Sequence, residues 1–354
     1  MIISRTPYRL SFFGGGTDYP TWFRVNGGAV LATTIDKYCY LTCRYLPPFF
    51  EHRIRVVYSQ IENCRTVDEI QHPAVRECLR FMKIERGVEI HHDGDLPARS
   101  GMGSSSAFAV GLLNALHALL GQMPGRHQLA VDGIEVEQNR LKEAVGSQDQ
   151  ISAAYGGFNR ISFAENGQFQ VTPMTLPHER VMELNDNLML FYTGIKRTAN
   201  TIAAQVMDGI PSPTSERALH AVRAMVDEAT AILSGRGDLD PFGRLLHEAW
   251  VAKRSLSKLV SNPMVENIYD TARRAGALGG KLTGAGGGGF MLLFVPPTEQ
   301  ARVREALGDL IHVPIRFESQ GSQIIHFDRE RDYSAEESVR ELQAVAQFRE
   351  LQAE

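Results

Sequence analysis

Glycine is concentrated in three stretches of this 354-residue chain: FFGGGTDY from Phe12, SGMGSSSAF from Ser100 and KLTGAGGGGF from Lys281. Each glycine raises the entropy cost of ordering the backbone and packs nothing. Such clusters therefore belong where the chain turns sharply or another molecule comes close to it. In the first stretch three side chains in a row are missing just ahead of a carboxylate, Asp18.

The length allows about two domains of roughly 150 residues. Hydrophobic residues at 43% and charged residues at 22% are the balance of a globular protein with a sizeable core. A formal net charge of −4 gives no electrostatic reason to expect nucleic acid or a membrane surface as a partner. Cys39, Cys43, Cys64 and Cys78 form no CxxC pair and no zinc-like spacing with histidine, so reduced, buried thiols are expected, Cys39 and Cys43 on one strand face. Arg5 and Arg9 interrupt what would be the apolar stretch of a signal peptide, and runs such as FAVGLLNALHALL are too short to span a bilayer. A cytoplasmic protein is the expectation.

Residues 28–46 read as one or two strands, Arg53 onward as a half-buried strand, Pro73 to Met82 as a helix, and GVEIHHDGDLP as a strand leading into a turn. The run after the serines has helical length and ends at Gly121. HQLAVDGIEVEQNRLKEAVG is a second helical region, with an interruption expected near Gly133. YGGFNRISF and GQFQVTPM suit a hairpin. NLMLFYTG is a strand, helices dominate from Thr198 to Ala275, and FMLLFV and GSQIIHF are later strands. These patterns predict an α+β protein with a boundary near residue 180, giving units 1–180 and 181–354. The tail carries a capping box, Ser334 to Glu337, and apolar positions Val339, Leu342, Val345, Ala346 and Leu351. It is expected to dock on its own domain, with a homodimer contact as the alternative. His91–Asp93 is expected to be an exposed strand end, not a metal site.

The loop Gly101-Met102-Gly103 lets backbone N–H groups point one way, and Ser104, Ser105 or Ser106 then starts a helix whose first amides lack partners. Oriented amides at the positive end of a helix dipole make an anion site. No lysine follows as in GxxxxGK[ST], and no third glycine completes GxGxxG, so neither familiar nucleotide loop is present.

PARSGMGSSSA resembles the second motif of the GHMP small-molecule kinases, RTPYRLSFFGGGTDY their first and KLTGAGGGGF their third, in the family's order and across most of the chain. The resemblance implies the GHMP kinase fold, with an N-terminal domain like the second domain of ribosomal protein S5, a C-terminal ferredoxin-like domain, and ATP and substrate in the cleft between them. It implies that Gly101 to Ser106 cradle the triphosphate and that Ser105 and Glu137 hold Mg²⁺, with Glu135 the competing carboxylate. VGSQDQISAAYGG resembles the region of the catalytic aspartate, which maps to Asp149, and Arg9 maps to its arginine partner. Beside a substrate hydroxyl, such a carboxylate accepts or orients the proton while the guanidinium stabilises charge on the transferring phosphoryl group. Gly284, Gly286 and Gly287 are implied to close near substrate and phosphate.

Galactokinases carry GEHTDY where this chain has Gly14-Gly15-Gly16-Thr17-Asp18-Tyr19. Two glycines in place of Glu and His open space for a longer sugar or an appended phosphate, while Gly15, Gly16, Thr17 and above all Asp18 stay on the substrate side. SFFGGGTDYP, VGSQDQISAAYGG and KLTGAGGGGFMLLF together are similar to the branch that phosphorylates C1 of D-glycero-D-manno-heptose 7-phosphate, on the way to a GDP-activated heptose for surface polysaccharide. The expected partners are therefore ATP and a small sugar phosphate. For the 7-phosphate the sequence offers Lys196 and Arg197, and His247, Lys253 and Arg254, with His247, Trp250 and Lys253 on one helical stripe. The alternatives are another sugar 1-kinase of the L-fucose type, or a non-catalytic sugar sensor on the same fold.

Overall fold

The computed structural model describes residues 1–50, 52–98, 100–195, 205, 212–328, 331 and 333–342. A first sheet runs in the order β13-β1-β2-β5-β3-β4, with β6, β7 and β12 attached through β2. Its early strands are β1 (Ile2–Phe13), β2 (Gly28–Tyr45), β3 (Ile54–Val57), β4 (Ile61–Cys64), β5 (Val88–Gly94), β6 (Phe158–Phe163) and β7 (Phe169–Pro173). The stretch expected to form one or two strands is the single strand β2. It pairs with β1 over nearly all of β1's length and carries β6 near its start and β5 near its end. All four cysteines are buried free thiols.

The helix Ser104–Leu119 is apolar on every side and buried almost throughout, as a helix inside a core must be. It lies on β1 so closely that a Cβ at Gly111 would fall 2.6 Å from Thr6 Oγ1. Ser4 Oγ donates to the Gly111 carbonyl at 2.8 Å. Gly121, in the left-handed region at φ 70°, follows its end as expected.

The second sheet is antiparallel, in the order β11-β8-β10-β9, from β8 (Leu188–Tyr192), β9 (Gly279–Leu282), β10 (Phe290–Phe294) and β11 (Ile311–Val313). The helices Asp240–Leu256 and Pro263–Arg274 cover it, burying Trp250 and Tyr269 against Met291 and Leu293. A Cβ at Gly279 would lie 1.9 Å from the Gly243 carbonyl oxygen, so β9 and its helix touch backbone to backbone. We propose the helix His178–Asp186, which contains the expected boundary at residue 180, as the junction between the N-terminal and C-terminal units.

The chain then returns to the first sheet. β12 (Phe317–Glu318) pairs with β2, and β13 (Gln323–Phe327) pairs with β1. Between them Ser322 donates its N–H to the Ala153 carbonyl at 2.8 Å and its hydroxyl meets Thr6 Oγ1 at 2.8 Å. A Cβ at Gly156 would sit 2.0 Å from the carbonyl carbon of Gln320. Residues 317–327 thus brace both β1 and the helix Gln148–Tyr155.

The terminal helix Ser334–Leu342 docks on the chain itself, but against the first sheet: Glu337 pairs with Arg53 at 3.3 Å and accepts from the Gly87 N–H at 3.2 Å. That corrects the expected docking on the second half. Val345, Ala346 and Leu351 lie outside the described residues. Among the described residues, no helix is long and apolar enough to cross a membrane.

Candidate active site

Arg9 and Ser11 are two residues apart on β1 and so face the same way, towards the loop 100–103. The Arg9 guanidinium makes a bidentate pair with Asp149, Nε to Oδ1 at 2.7 Å and Nη2 to Oδ2 at 2.6 Å, and its Nη1 donates to the Gly101 carbonyl at 2.8 Å. The Arg9 backbone N–H donates to the Met102 carbonyl at 3.1 Å. One residue therefore fixes a carboxylate and the serine loop together, in the strongest hydrogen-bond geometry the side chains allow. Asp149 lies in the first turn of the helix Gln148–Tyr155, where the dipole favours a negative charge.

Gly103, at φ 71°, precedes the helix Ser104–Leu119, and no side chain caps that helix start. A Cβ at Gly103 would meet Arg9 Cγ at 3.1 Å and Asp149 Oδ2 at 3.5 Å. The first-turn amides, Ser104 and Ser105 thus open beside the ion pair, the arrangement an anion needs.

Glu137 comes from a π-helical turn, Glu135–Arg140, that continues the helix Arg126–Ile134. The wider turn brings its carboxylate inward, where it accepts from Ser106 Oγ and from Gln150 Nε2, both at 2.5 Å. Burial pushes its pKa up to about 7, against the lowering effect of the hydrogen bonds from Ser106, Gln150 and Ser105. Glu135 instead accepts from Asn139 at 2.5 Å, on the exposed side. The interruption expected near Gly133 is this turn, which begins at Glu135. A Cβ at Gly133 would lie 2.8 Å from Val110 Cγ2, so that glycine serves helix-to-helix packing.

Asp18 is buried. Its Oδ1 accepts the Gly16 N–H at 2.9 Å, its Oδ2 the Gln148 N–H at 3.3 Å, and its carbonyl the Ser147 N–H at 3.0 Å. It staples the glycine loop to the start of the Asp149 helix. Burial, then the nearby Asp149 charge, raises its pKa. Lys281 opens the third glycine stretch at the end of β9, its Nζ donating to the Phe12 carbonyl at 2.8 Å. Burial, then repulsion from Arg9, push it down to about 7, with Asp18 acting the other way. Arg9, Ser11, Asp18, Gln148, Asp149 and Lys281 all line one cleft of about 290 Å³, which the serine loop and Gly284 also border. Among the described residues Ser11 Oγ and Gln148 Oε1 have no hydrogen-bond partner and are buried, a cost of about 1–3 kcal/mol each unless a ligand satisfies them.

Two family models match the chain, GHMP kinases N terminal domain over residues 70–157 and GHMP kinases C terminal over residues 221–312. The D-glycero-alpha-D-manno-heptose 7-phosphate kinase of Campylobacter jejuni is 31% identical over 86% of this chain and 93% of its own length. The chain belongs to the GHMP kinase family. A solved structure described as a D-glycero-D-manno-heptose 1-phosphate kinase from Bacteroides thetaiotaomicron superposes with a TM-score of 0.76 at 25% identity, covering 93% of this chain and all of that one. The L-fucokinase/L-fucose-1-P guanylyltransferase of Bacteroides fragilis is 27% identical over 87% of this chain, which spans 36% of that longer protein. The fold is the GHMP kinase fold, and the protein is a kinase acting on a hydroxyl acceptor, similar to sugar kinases.

As a GHMP kinase the chain brings most of its expected site together, with several corrections. Gly15, Gly16, Asp18, Gly101, Gly103, Ser104, Ser105, Asp149, Arg9, Lys253 and Gly284 border the cleft. Met102 and Ser106 lie beneath it, buried. Thr17 does not reach the cleft: its buried hydroxyl donates to the carbonyls of Gly14 and Ala29 and accepts the Ala29 N–H, so it braces the loop from within. Gly286 and Gly287 are also structural. The Gly287 N–H donates to the Val260 carbonyl at 2.8 Å, and a Cβ at Gly286 would lie 2.6 Å from that oxygen. Lys253 donates to the carbonyls of Leu282, at 2.7 Å, and Gly284, at 2.5 Å, so it holds the third glycine loop from inside the cleft. His247 bonds Tyr269 and Arg254 pairs with Glu266, neither bordering the cleft. Lys196 and Arg197 lie outside the described residues. Among the described residues no cluster of three histidine, cysteine or acidic side chains forms a metal cage, at His91–Asp93 or elsewhere. Sequence reasoning missed Lys281, whose one signal is its place at the head of KLTGAGGGGF.

The glycines of the first loop differ in kind. Gly14, at φ 82°, would bring a Cβ to 1.9 Å from the Ala29 carbonyl oxygen, and Gly16, at φ 102°, to 2.9 Å from Leu219 Cδ2. Gly14→Ala should therefore lower unfolding free energy by about 3 kcal/mol, read by urea denaturation, through backbone strain and a clash that no rotamer relieves.

Proposed function

We propose that the chain transfers the γ-phosphoryl group of ATP to the anomeric C1 hydroxyl of D-glycero-D-manno-heptose 7-phosphate, giving the 1,7-bisphosphate and ADP. The observation that carries this reading is the bidentate Arg9–Asp149 pair held against the serine loop, with a carboxylate, a guanidinium and a helix N-terminus converging on one cleft. Asp149 takes the C1 hydroxyl proton as that oxygen bonds to phosphorus and the bond to the ADP oxygen breaks. Arg9 and Lys281 stabilise negative charge on the phosphoryl group in flight, and the amides at Ser104 and Ser105 hold the nucleotide phosphates.

Ser105 and Glu137 fit Mg²⁺: a buried carboxylate beside serine hydroxyls is a hard-oxygen donor set, and Mg²⁺ in kinases takes its remaining ligands from water and phosphates. When bound it would neutralise phosphate charge. Glu137, not Glu135, faces the serines and is the carboxylate of this proposal.

For the sugar, support comes from the Campylobacter relative's name, with Gly15 bare at the cleft and Lys253 in the cleft for the distal phosphate. The Bacteroides thetaiotaomicron structure is described as a heptose 1-phosphate kinase, and the fucokinase likeness favours a second reading, a free-sugar 1-kinase. ATP consumption over heptose 7-phosphate, heptose 1-phosphate, unphosphorylated heptose, L-fucose, galactose and mevalonate separates them. Heptose 7-phosphate should be preferred at least tenfold in kcat/KM. Preference for a free hexose overturns the substrate and leaves the chemistry standing.

A further inference from the structure

Gly14 and Gly16 are explained by the fold, but Gly15 is not. Its φ lies outside the left-handed region, and a Cβ there would make only ordinary contacts, 3.6 Å from Gln148 Nε2 and 3.6 Å from Ser11 Oγ. Such a methyl would, however, fill the gap between two side chains that each hold an unpartnered buried polar atom, Ser11 Oγ and Gln148 Oε1. Ser11 is 7% exposed and Gln148 8%, and both border the cleft. Ser11 follows Arg9 by two residues on the same face of β1, and Gln148 immediately precedes Asp149. A group bridging them is delivered beside the reacting carboxylate.

We infer that Ser11 and Gln148, with Gly15 left bare between them, form a subsite that reads a sugar hydroxyl next to the one being phosphorylated. The inference rests on the sugar-kinase reading and names the residues that would discriminate among sugars. A hydroxyl both donates and accepts, so it meets the serine hydroxyl and the Gln148 side-chain amide at once. An alkyl chain would leave both groups unmet. The subsite therefore selects a hydroxyl-bearing ring over an apolar substrate. Sites built to hydrogen-bond a hydroxyl discriminate strongly against an analogue that lacks it.

The test uses Ser11→Ala, Gln148→Leu and Gly15→Ala with whichever sugar the wild type turns over best. Each variant should raise the sugar KM about tenfold while the ATP KM stays within about twofold and Tm within about 2 °C. Among monodeoxy analogues of that sugar, one should be a poor substrate for the wild type and suffer no further loss in Ser11→Ala or Gln148→Leu. Sugar KM values unchanged in all three variants overturn the subsite, as does a parallel rise in ATP KM with a fallen Tm. A wild type that turns over no sugar removes the sugar-kinase reading and this inference together. A wild type that turns over sugar alongside indifferent variants removes this inference alone.

Discussion

Replacing Asp149 with alanine should lower kcat by about a thousandfold, or about 4 kcal/mol of transition-state stabilisation, while leaving the ATP KM within a few-fold. The serine loop and its amides do not depend on the Asp149 side chain, because Arg9 also binds the carbonyls of Gly101 and Met102. Arg9 would lose both carboxylate contacts inside the protein. Removing one partner of such a pair costs about 2–3 kcal/mol here, below the range for full burial because Asp149 keeps 21% of its side chain exposed. Asp149→Asn keeps the volume and one acceptor, so it should unfold later than the alanine variant and be just as slow. Near-normal turnover in Asp149→Asn would take the carboxylate out of the chemistry.

Lys281→Met should separate stability from catalysis. With its pKa pushed down to about 7, wild-type Lys281 is neutral in the folded chain and charged in the unfolded chain between about pH 7 and the ordinary lysine value. The unfolded state then binds the extra proton, so stability rises with pH across that window. Below pH 7 the buried charge costs on the order of 5 kcal/mol, which the methionine variant escapes. Urea titrations should show the variant ahead of wild type at pH 6 and the advantage shrinking by pH 9. Turnover should go the other way, kcat/KM falling by about a hundredfold near pH 6.5 as the phosphoryl group loses a cation. In the wild type kcat/KM should fall above pH 7, and in the variant that limb should flatten. A variant with a full wild-type pH profile would confine Lys281 to its bond with Phe12.

Arg9, the serine loop and Asp149 were legible because each sits in a short run of residues that resembles a GHMP kinase motif, in the family's order. Lys281 was hidden for the opposite reason: the carbonyl it holds, that of Phe12, belongs to β1, far away in sequence. Basic pairs and helical spacing single out candidate phosphate cations but cannot say what already binds them. His247 and Arg254 are taken by Tyr269 and Glu266. The π turn that aims Glu137 contains neither glycine nor proline, so no local breaker marks it in the sequence. The pairing of β12 and β13 with the first sheet leaves no local periodicity either.

That return has a consequence for when the protein becomes an enzyme. On a ribosome Arg9 and Asp149 emerge well before residues 317–327, yet those residues supply the strand paired with the start of β1 and the packing behind the Asp149 helix. Until those residues leave the exit tunnel, β1 has one edge unpaired and the helix carrying Asp149 lacks its backing at Gly156. At ordinary rates of synthesis this interval lasts about ten seconds or more. Throughout it, the nascent chain holds the serine loop with the Asp149 helix unsupported. A chain stalled before Phe317 lacks both supports, and should bind nucleotide poorly and spend none of it.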